Sequence, residues 1–139
     1  MPTKEHVTLQ EVRNAFEIQT IGSSTTTTGA IFDTKDYDCG IYFAMQVANW
    51  NDGTYTLKIE DGDNAGLSDA AVVATNQLVY GTLPALGADT AEGAMMPREG
   101  VHSTKRYVRA SIVSTGVTSG ADVSVVCVKD AEMAPTSQT

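Results

Sequence analysis

The amino-acid sequence predicts an all-β fold, an antiparallel β-sandwich of about eight strands. Three observations predict it: apolar and polar side chains alternate over several segments, turns bearing glycine and asparagine separate these segments, and no segment has convincing helical periodicity. Aromatic residues make up 6% of the chain, whereas Thr, Val, Ala and Gly are abundant. We therefore expect a core of small β-forming side chains rather than large rings.

The chain length predicts one domain. A chain of 139 residues can bury one core but is too short for two ordinary domains. We expect a flexible N-terminal arm at residues 1–14, a β-sandwich domain at residues 15–130 and a C-terminal tail at residues 131–139. The arm shows neither a helical stripe nor a long alternation, and the tail contains Pro135 followed by hydroxyl and amide side chains.

The first strands precede a charged turn. Apolar and polar residues alternate from Ala15 onward, which predicts a half-buried strand. Four threonines at residues 25–28 favour extended backbone because their side chains are β-branched, and a short strand is expected at residues 30–33. The expected strand starts along the whole chain are Ala15, Ser24, Ala30, Gly40, Gly53, Ala71, Gln77, Thr104 and Ala121.

Two hairpins are predicted from the strongest alternations. The first joins residues 40–49 to 54–60 through the turn that contains Trp50, and the second joins residues 105–113 to 123–128 through Gly116 and Gly120. The strand at residues 40–49 is nearly apolar on both faces, which suits a central strand. The residues expected in the core are Ile41, Phe43, Met45, Val47, Tyr55, Leu57 and Ile59, and those expected to face solvent are Thr54, Thr56, Lys58 and Glu60.

One long irregular segment is expected between the hairpins. A loop at residues 61–71 and short apolar runs at 71–74 and 77–80 precede residues 81–103, which contain two prolines and several alanines and glycines. A loop of that length in a compact domain is usually functional or disordered.

Charge and cysteine usage limit the partners that we expect. The net charge is −8, so the average field repels phosphate and we expect no direct nucleic-acid partner. Cys39 and Cys127 lie far apart without zinc spacing, and a bridge between them stays open. No window reaches the apolar length of a signal peptide or a membrane span, so we expect no membrane partner and assembly in the cytosol.

No catalytic or cofactor motif is present, and we expect no enzyme activity, no cofactor and no metal. The sequence has no G-x-S-x-G elbow, no dinucleotide or P-loop motif, and its histidines, His6 and His102, lack a paired ligand spacing. The segment beginning at Asp61 resembles a calcium loop faintly, but Ala65 and Val72 occupy ligand positions, so a solvated Asp-Gly turn is the better interpretation.

The candidate functional residues belong to a protein interface. Trp50 is either a contact anchor or a loop residue folded over the sandwich edge. Met95 and Met96 either pack against a partner or fill a local gap. The cations Arg98, Lys105, Arg106 and Arg109 form either a solvated, salt-bridged face or a surface for an acidic protein partner.

The order of these segments resembles the decoration, or cement, proteins of tailed bacteriophage capsids. The resemblance covers residues 22–130 and consists of fold motifs: Ile31-Phe32-Asp33, Gly40-Ile41-Tyr42-Phe43, Gly53-Thr54-Tyr55-Thr56-Leu57-Lys58-Ile59-Glu60-Asp61 and Lys105-Arg106-Tyr107-Val108-Arg109. It implies a jelly-roll sandwich that forms homotrimers and clamps neighbouring major capsid subunits on the exterior of the head. Residues 81–103 form a longer loop than this pattern, which leaves open whether they contact the trimer or the capsid.

We therefore expect a noncatalytic virion protein on the capsid exterior, with the major capsid protein and its own copies as partners. The alternative is a carbohydrate-binding or receptor-binding module, since jelly rolls serve as lectin domains too. For that function the plausible aromatic platform is Trp50, Tyr55 and Tyr42.

Overall fold

A computed structural model describes residues 10–35, 41–102 and 105–130 of the chain. Within them lie nine strands and a single 3₁₀ turn at Thr75–Gln77. The strands are β1 (Gln10–Ile21), β2 (Thr26–Asp33), β3 (Ile41–Ala48), β4 (Thr54–Gly62), β5 (Ala71–Val72), β6 (Ala85–Leu86), β7 (Arg98–Val101), β8 (Tyr107–Thr115) and β9 (Ala121–Asp130).

The strands form two antiparallel sheets, which confirms the predicted β-sandwich. Sheet A has the order β1-β9-β3-β7, and sheet B has the order β2-β8-β4-β5, with the short β6 also pairing with β4. The pairings are nested: β1 with β9, β2 with β8, β3 with β7, and β4 with β5 and β6. Nested pairs divided between two sheets are the arrangement of a jelly roll.

Both predicted hairpins are wrong. β3 pairs with β9 and β7 in sheet A, whereas its neighbour in the chain, β4, pairs with β8 in sheet B. β8 and β9 are divided between the sheets in the same way. Each of the two glycine-bearing turns therefore crosses from one sheet to the other as an arch. Alternation identifies the buried face of a strand, but it carries no information about which strand lies at its edge.

Other element bounds differ from the predicted ones. β1 begins at Gln10, so residues 10–14 belong to the sheet rather than to an arm; residues 1–9 and the predicted tail lie outside the described residues. The predicted strands near Thr25 and Ala30 are one strand, β2, with a register shift between Thr28 and Ile31. The segment predicted to be irregular, residues 81–103, contains β6 and β7.

The core forms between the sheets, as predicted. Phe43, Met45, Val47, Tyr55 and Leu57 have no exposed surface. Glu60 was predicted to face solvent and is instead buried. It does point to the outside of sheet B, but it lies opposite Arg109 in the register, and the long side chains of Arg109 and Lys58 cover it.

One carboxylate joins the two arches. Asp52, in the arch between β3 and β4, accepts hydrogen bonds from the backbone N–H groups of Thr118, Ser119 and Gly120 at 2.9 to 3.2 Å. Asn51 donates its backbone N–H to the carbonyl of Gly120 at 3.0 Å. These hydrogen bonds, of which the one from Gly120 has the largest effect, hold the pKa of Asp52 below its usual 3.8. This side chain fixes the two crossings relative to each other.

We predict that Asp52→Asn lowers the thermal unfolding midpoint at neutral pH and weakens its dependence on acid. Since the folded pKa is depressed, the ionised carboxylate stabilises the fold above its unfolded pKa of 3.8, and this contribution is lost as the pH falls through the folded value. Calorimetry at about pH 7 and about pH 3 measures both effects. The matched control is Asp63→Asn, which removes an exposed ion pair with Lys105; exposed pairs contribute little. Equal acid sensitivity in Asp52→Asn and the wild type would contradict the assigned role.

Candidate binding surfaces of sheet A

The outer face of sheet B carries ion pairs beside two exposed apolar residues, Ile31 and Val72. Arg109 donates to Glu60 at 3.2 Å, and Lys58 lies 3.7 Å from the same carboxylate. Arg106 makes two hydrogen bonds to Asp33, at 2.8 and 3.0 Å, and lowers the pKa of that carboxyl. Lys105 pairs with Asp63 at 3.2 Å. Three of the four predicted interface cations therefore have carboxylate partners within the chain, as the salt-bridged interpretation of this cluster expects.

Trp50 lies at the opposite end of the sandwich from these cations. Its indole N–H donates to the Gly53 carbonyl at 2.9 Å, and its backbone N–H donates to Asp89 at 2.8 Å. The side chain is 37% exposed, so part of the ring remains available for contact. Trp50 is therefore held within its own arch, and whether it also contacts a partner stays a prediction.

The outer face of sheet A carries apolar side chains along β1 and β9. We call Val12, Ile18, Val126 and Val128 the β1–β9 surface. Val12 lies opposite Val128 in the register, and Val12 and Ile18 are 67% and 66% exposed. Val126 and Val128 are half-buried and alternate with the buried Val125 and Cys127. An antiparallel sheet with one solvated face normally carries polar residues there.

A cleft lies at the other edge of sheet A. We call it the β7 cleft; its volume is 270 Å³, and its lining residues are Ile41, Tyr42, Val79, Tyr80, Arg98, Gly100, Val101 and His102. One wall is the segment preceding residue 81, where Val79 donates its backbone N–H to the Gly100 carbonyl at 2.9 Å and Gln77 accepts from His102 at 2.8 Å. A Cβ on Gly100 would lie 2.7 Å from Val79 Cγ2. Glycine at this position therefore allows Val79 to lie over β7.

A buried carboxylate positions the cleft wall. Glu99 has no exposed surface and lies opposite the core residue Phe43 in the register. Its Oε1 accepts the backbone N–H groups of Tyr80 at 2.8 Å and of Gly100 at 2.9 Å. The side chain thus ties the tyrosine-bearing segment to β7 from the inside of the sheet.

Tyr80 and Arg98 connect the β7 cleft to the predicted methionines. The Arg98 guanidinium lies 5.7 Å from the centre of the Tyr80 ring, within the range of a cation–π contact. Both residues also line a groove of 280 Å³ with Met95, Met96 and Pro97. Met95 is 77% exposed. The structure therefore brings three predicted interface residues together, Met95, Met96 and Arg98, and places the other four elsewhere.

The segment that begins at Asp61, predicted to be a solvated Asp-Gly turn, is closed by the side chain of Asp69. Asp69 accepts the backbone N–H groups of Asp63 and Asn64 at 2.9 and 3.2 Å, which lowers its pKa. Across residues 10–35, 41–102 and 105–130 there is no group of three or more His, Cys, Asp or Glu side chains placed to hold a metal ion. In the same part of the chain no helix has the length and hydropathy to cross a bilayer. Cys127 is buried, and Cys39 and His6 lie outside the described residues.

Sequence reasoning missed most of these sheet A residues. Val126 and Val128 carried a usable signal, because residues 125–128 are apolar at inward and outward positions alike. The strand β7 gave no such signal, since one of its inward positions is occupied by a glutamate rather than an apolar residue. The aromatic platform proposed from sequence is not assembled: Tyr55 is buried in the core, and Trp50 lies at the far end of the sandwich from Tyr42.

Comparisons with known proteins yield likenesses of fold. The chain resembles the SPBc2 prophage-derived protein YomS, with a TM-score of 0.44 and 11% identity over 86% of this chain and 93% of that one. It also resembles a family 6 carbohydrate-binding module, with a TM-score of 0.42 and 11% identity over 87% of this chain and 94% of the module. No protein-family model matches the sequence, and no curated protein matches it.

Proposed function

We propose that the chain is a noncatalytic structural protein of a bacteriophage virion, which binds the exterior of the assembled capsid and stabilises the shell. It acts as a homotrimer that bridges major capsid subunits. The observation that carries the proposal is the β1–β9 surface. Exposed apolar residues grouped on one face are characteristic of protein contacts, whereas the outer face of sheet B combines ion pairs with the exposed Ile31 and Val72.

A cement protein stabilises a particle by mass action. A ligand that binds the assembled shell and not its dissociated subunits adds its binding free energy to the stability of the shell. The two-sheet core keeps the ordering cost of docking low because the contact surface is already formed. A strand face such as β1–β9 presents its side chains on a rigid backbone, which suits this function.

The test uses one valine from each sheet. Val128→Asp places a charge on the β1–β9 surface, whereas Val113→Asp places the same charge on the outer face of sheet B, where Val113 lies between Thr26 and Thr56. We expect the wild type and Val113→Asp to have a native mass three times the 14.7 kDa chain mass, and Val128→Asp to be monomeric. Heads of the encoding phage should retain DNA on heating with the first two proteins and release it sooner with the third.

The outcomes separate the parts of the proposal. A monomeric wild type would contradict the homotrimer. Equal heat resistance of heads with and without the wild-type protein would contradict the cementing function. If Val113→Asp lost both trimer formation and stabilisation of the heads while Val128→Asp kept them, the contact surface would be on sheet B instead.

A second candidate function is a carbohydrate-binding or receptor-binding module on the virion surface. The β7 cleft favours it, because two tyrosines line a small concave site that also contains polar side chains. In the sheet order β1-β9-β3-β7, the cleft lies on the edge opposite β1. A docked β1–β9 surface would therefore leave the cleft edge free for another ligand.

A further inference from the structure

We propose that the β7 cleft binds a carboxylate-bearing sugar, such as a uronic acid residue of a polysaccharide. The proposal rests on the second candidate function above and specifies its ligand. Three features of the cleft carry it: the charge of its lining, the disposition of its aromatic rings and its size.

The lining is cationic in an acidic protein. The chain has a net charge of −8, yet the charged residue that lines the cleft is Arg98, and no aspartate or glutamate lines it. Arg98 has no carboxylate partner within the described part of the chain, and its guanidinium lies over the Tyr80 ring. A guanidinium in this state favours a carboxylate ligand, with which it forms two parallel charge-assisted hydrogen bonds.

A second arginine–tyrosine pair in the chain shows why this one is distinctive. Arg106 lies 5.1 Å from the centre of the Tyr107 ring, but its guanidinium already binds Asp33 through two hydrogen bonds. Tyr107 also lines neither the β7 cleft nor the groove beside Met95 and Met96. In both pairs a guanidinium lies over a tyrosine ring. Arg106 also binds a carboxylate, whereas Arg98 binds none among the described residues.

The aromatic rings and the volume select a sugar. Tyr42 and Tyr80 both line the cleft, and the negative face of an aromatic ring attracts the C–H groups on one face of a pyranose. Their hydroxyl groups add donors and acceptors for sugar hydroxyls. The volume of 270 Å³ is at the small end for ligand sites and suits a single ring. Glu99 acts as a positioning residue, since it fixes the backbone of Tyr80.

The test measures binding of two matched probes, methyl glucuronide and methyl glucoside, by NMR titration of the labelled full chain. We expect the glucuronide to bind with a Kd on the order of 1 mM, which follows from the usual binding free energy per non-hydrogen atom of a ligand of its size. Binding should shift the NMR signals of Tyr42, Tyr80 and His102. The glucoside should bind at least about tenfold more weakly than the glucuronide. Arg98→Gln should remove this difference, and Tyr80→Ala should remove binding of both.

Tyr107→Ala is the matched control, because it removes the tyrosine of the other pair. It should leave both affinities unchanged, and thermal unfolding verifies that each variant is folded. Equal binding of the two probes by the wild type would overturn carboxylate recognition. Absence of binding, or binding of a short glutamate peptide but not of the glucuronide, would overturn the sugar site. Neither result affects the trimer and capsid test with Val128→Asp, so the two proposals fail separately.

Discussion

Replacing Phe43 with alanine is expected to destabilise the fold by about 3 to 5 kcal/mol, the usual range for removing a buried aromatic side chain. Phe43 has no exposed surface. It belongs to sheet A and contacts Phe32 of sheet B, with the ring centres 6.2 Å apart. Because natural domains are stable by about 5 to 15 kcal/mol, this single change removes a large share of the total.

Denaturant unfolding of Phe43→Ala measures the loss. Phe43→Leu, which keeps most of the volume, is the matched control and should lose less than about 1.5 kcal/mol. The residues on either side of Phe43, Tyr42 and Ala44, lie on the outer face of the same strand, so the alanine variant should also weaken ligand binding at the β7 cleft. A loss in Phe43→Ala no larger than in Phe43→Leu would show that the sheets pack together without this ring.

Gly29→Val is expected to have the other large effect, a loss of about 3 kcal/mol or more, as for severe overpacking. A Cβ at Gly29 would collide with the backbone carbonyl oxygen of Ala15 and lie 2.7 Å from that of Ala110. Ala15 belongs to β1 of sheet A and Ala110 to β8 of sheet B, and both atoms are main-chain atoms that a rotamer change cannot move. Register shifts occur here in both β1 and β2. The sandwich therefore closes at this corner because residue 29 has no side chain.

Gly22→Val is the matched control for Gly29→Val, because nothing lies within 4 Å of a Cβ at Gly22. Thermal and denaturant unfolding should show a large loss for residue 29 and a small one for residue 22. If the two variants lost similar stability, the effect would come from the general cost of a branched side chain rather than from closure of the corner.

The inward faces of the strands could be predicted from the sequence, whereas their partners could not. The alternation at residues 41–47 and 55–59 identified side chains that are all buried in the structure. The same alternation suggested hairpins, although the jelly-roll topology implied by the family resemblance separates these neighbouring strands into opposite sheets. The turn residues are compatible with both arrangements, since Gly53, Gly116 and Gly120 supply positive φ angles in the arches.

The candidate surfaces show the same division. Arg98, Met95 and Met96 were recognised as a possible interface, but Tyr80 and Val79 complete the site and come from a segment predicted only as a short apolar run. Arg106 and Arg109 were grouped with Arg98 by sequence distance. In the structure Arg109 lies in β8 of sheet B and Arg106 directly precedes that strand; Arg106 is paired with Asp33 and Arg109 with Glu60. Spacing along the chain placed these cations near one another, whereas the sheets placed them on different faces.

By itself, the sequence determined the fold class, the composition of the core and the acidic character of this protein, because each depends on local periodicity or on summed composition. The tertiary structure alone decided which strands pair, which face is left apolar and where Arg98 lies beside Tyr80 with no carboxylate partner among the described residues. These features depend on contacts between residues far apart in the chain, as in the pairing of β1 with β9. Local patterns do not encode such contacts, since an alternating strand can satisfy its backbone hydrogen bonds equally well against several neighbours.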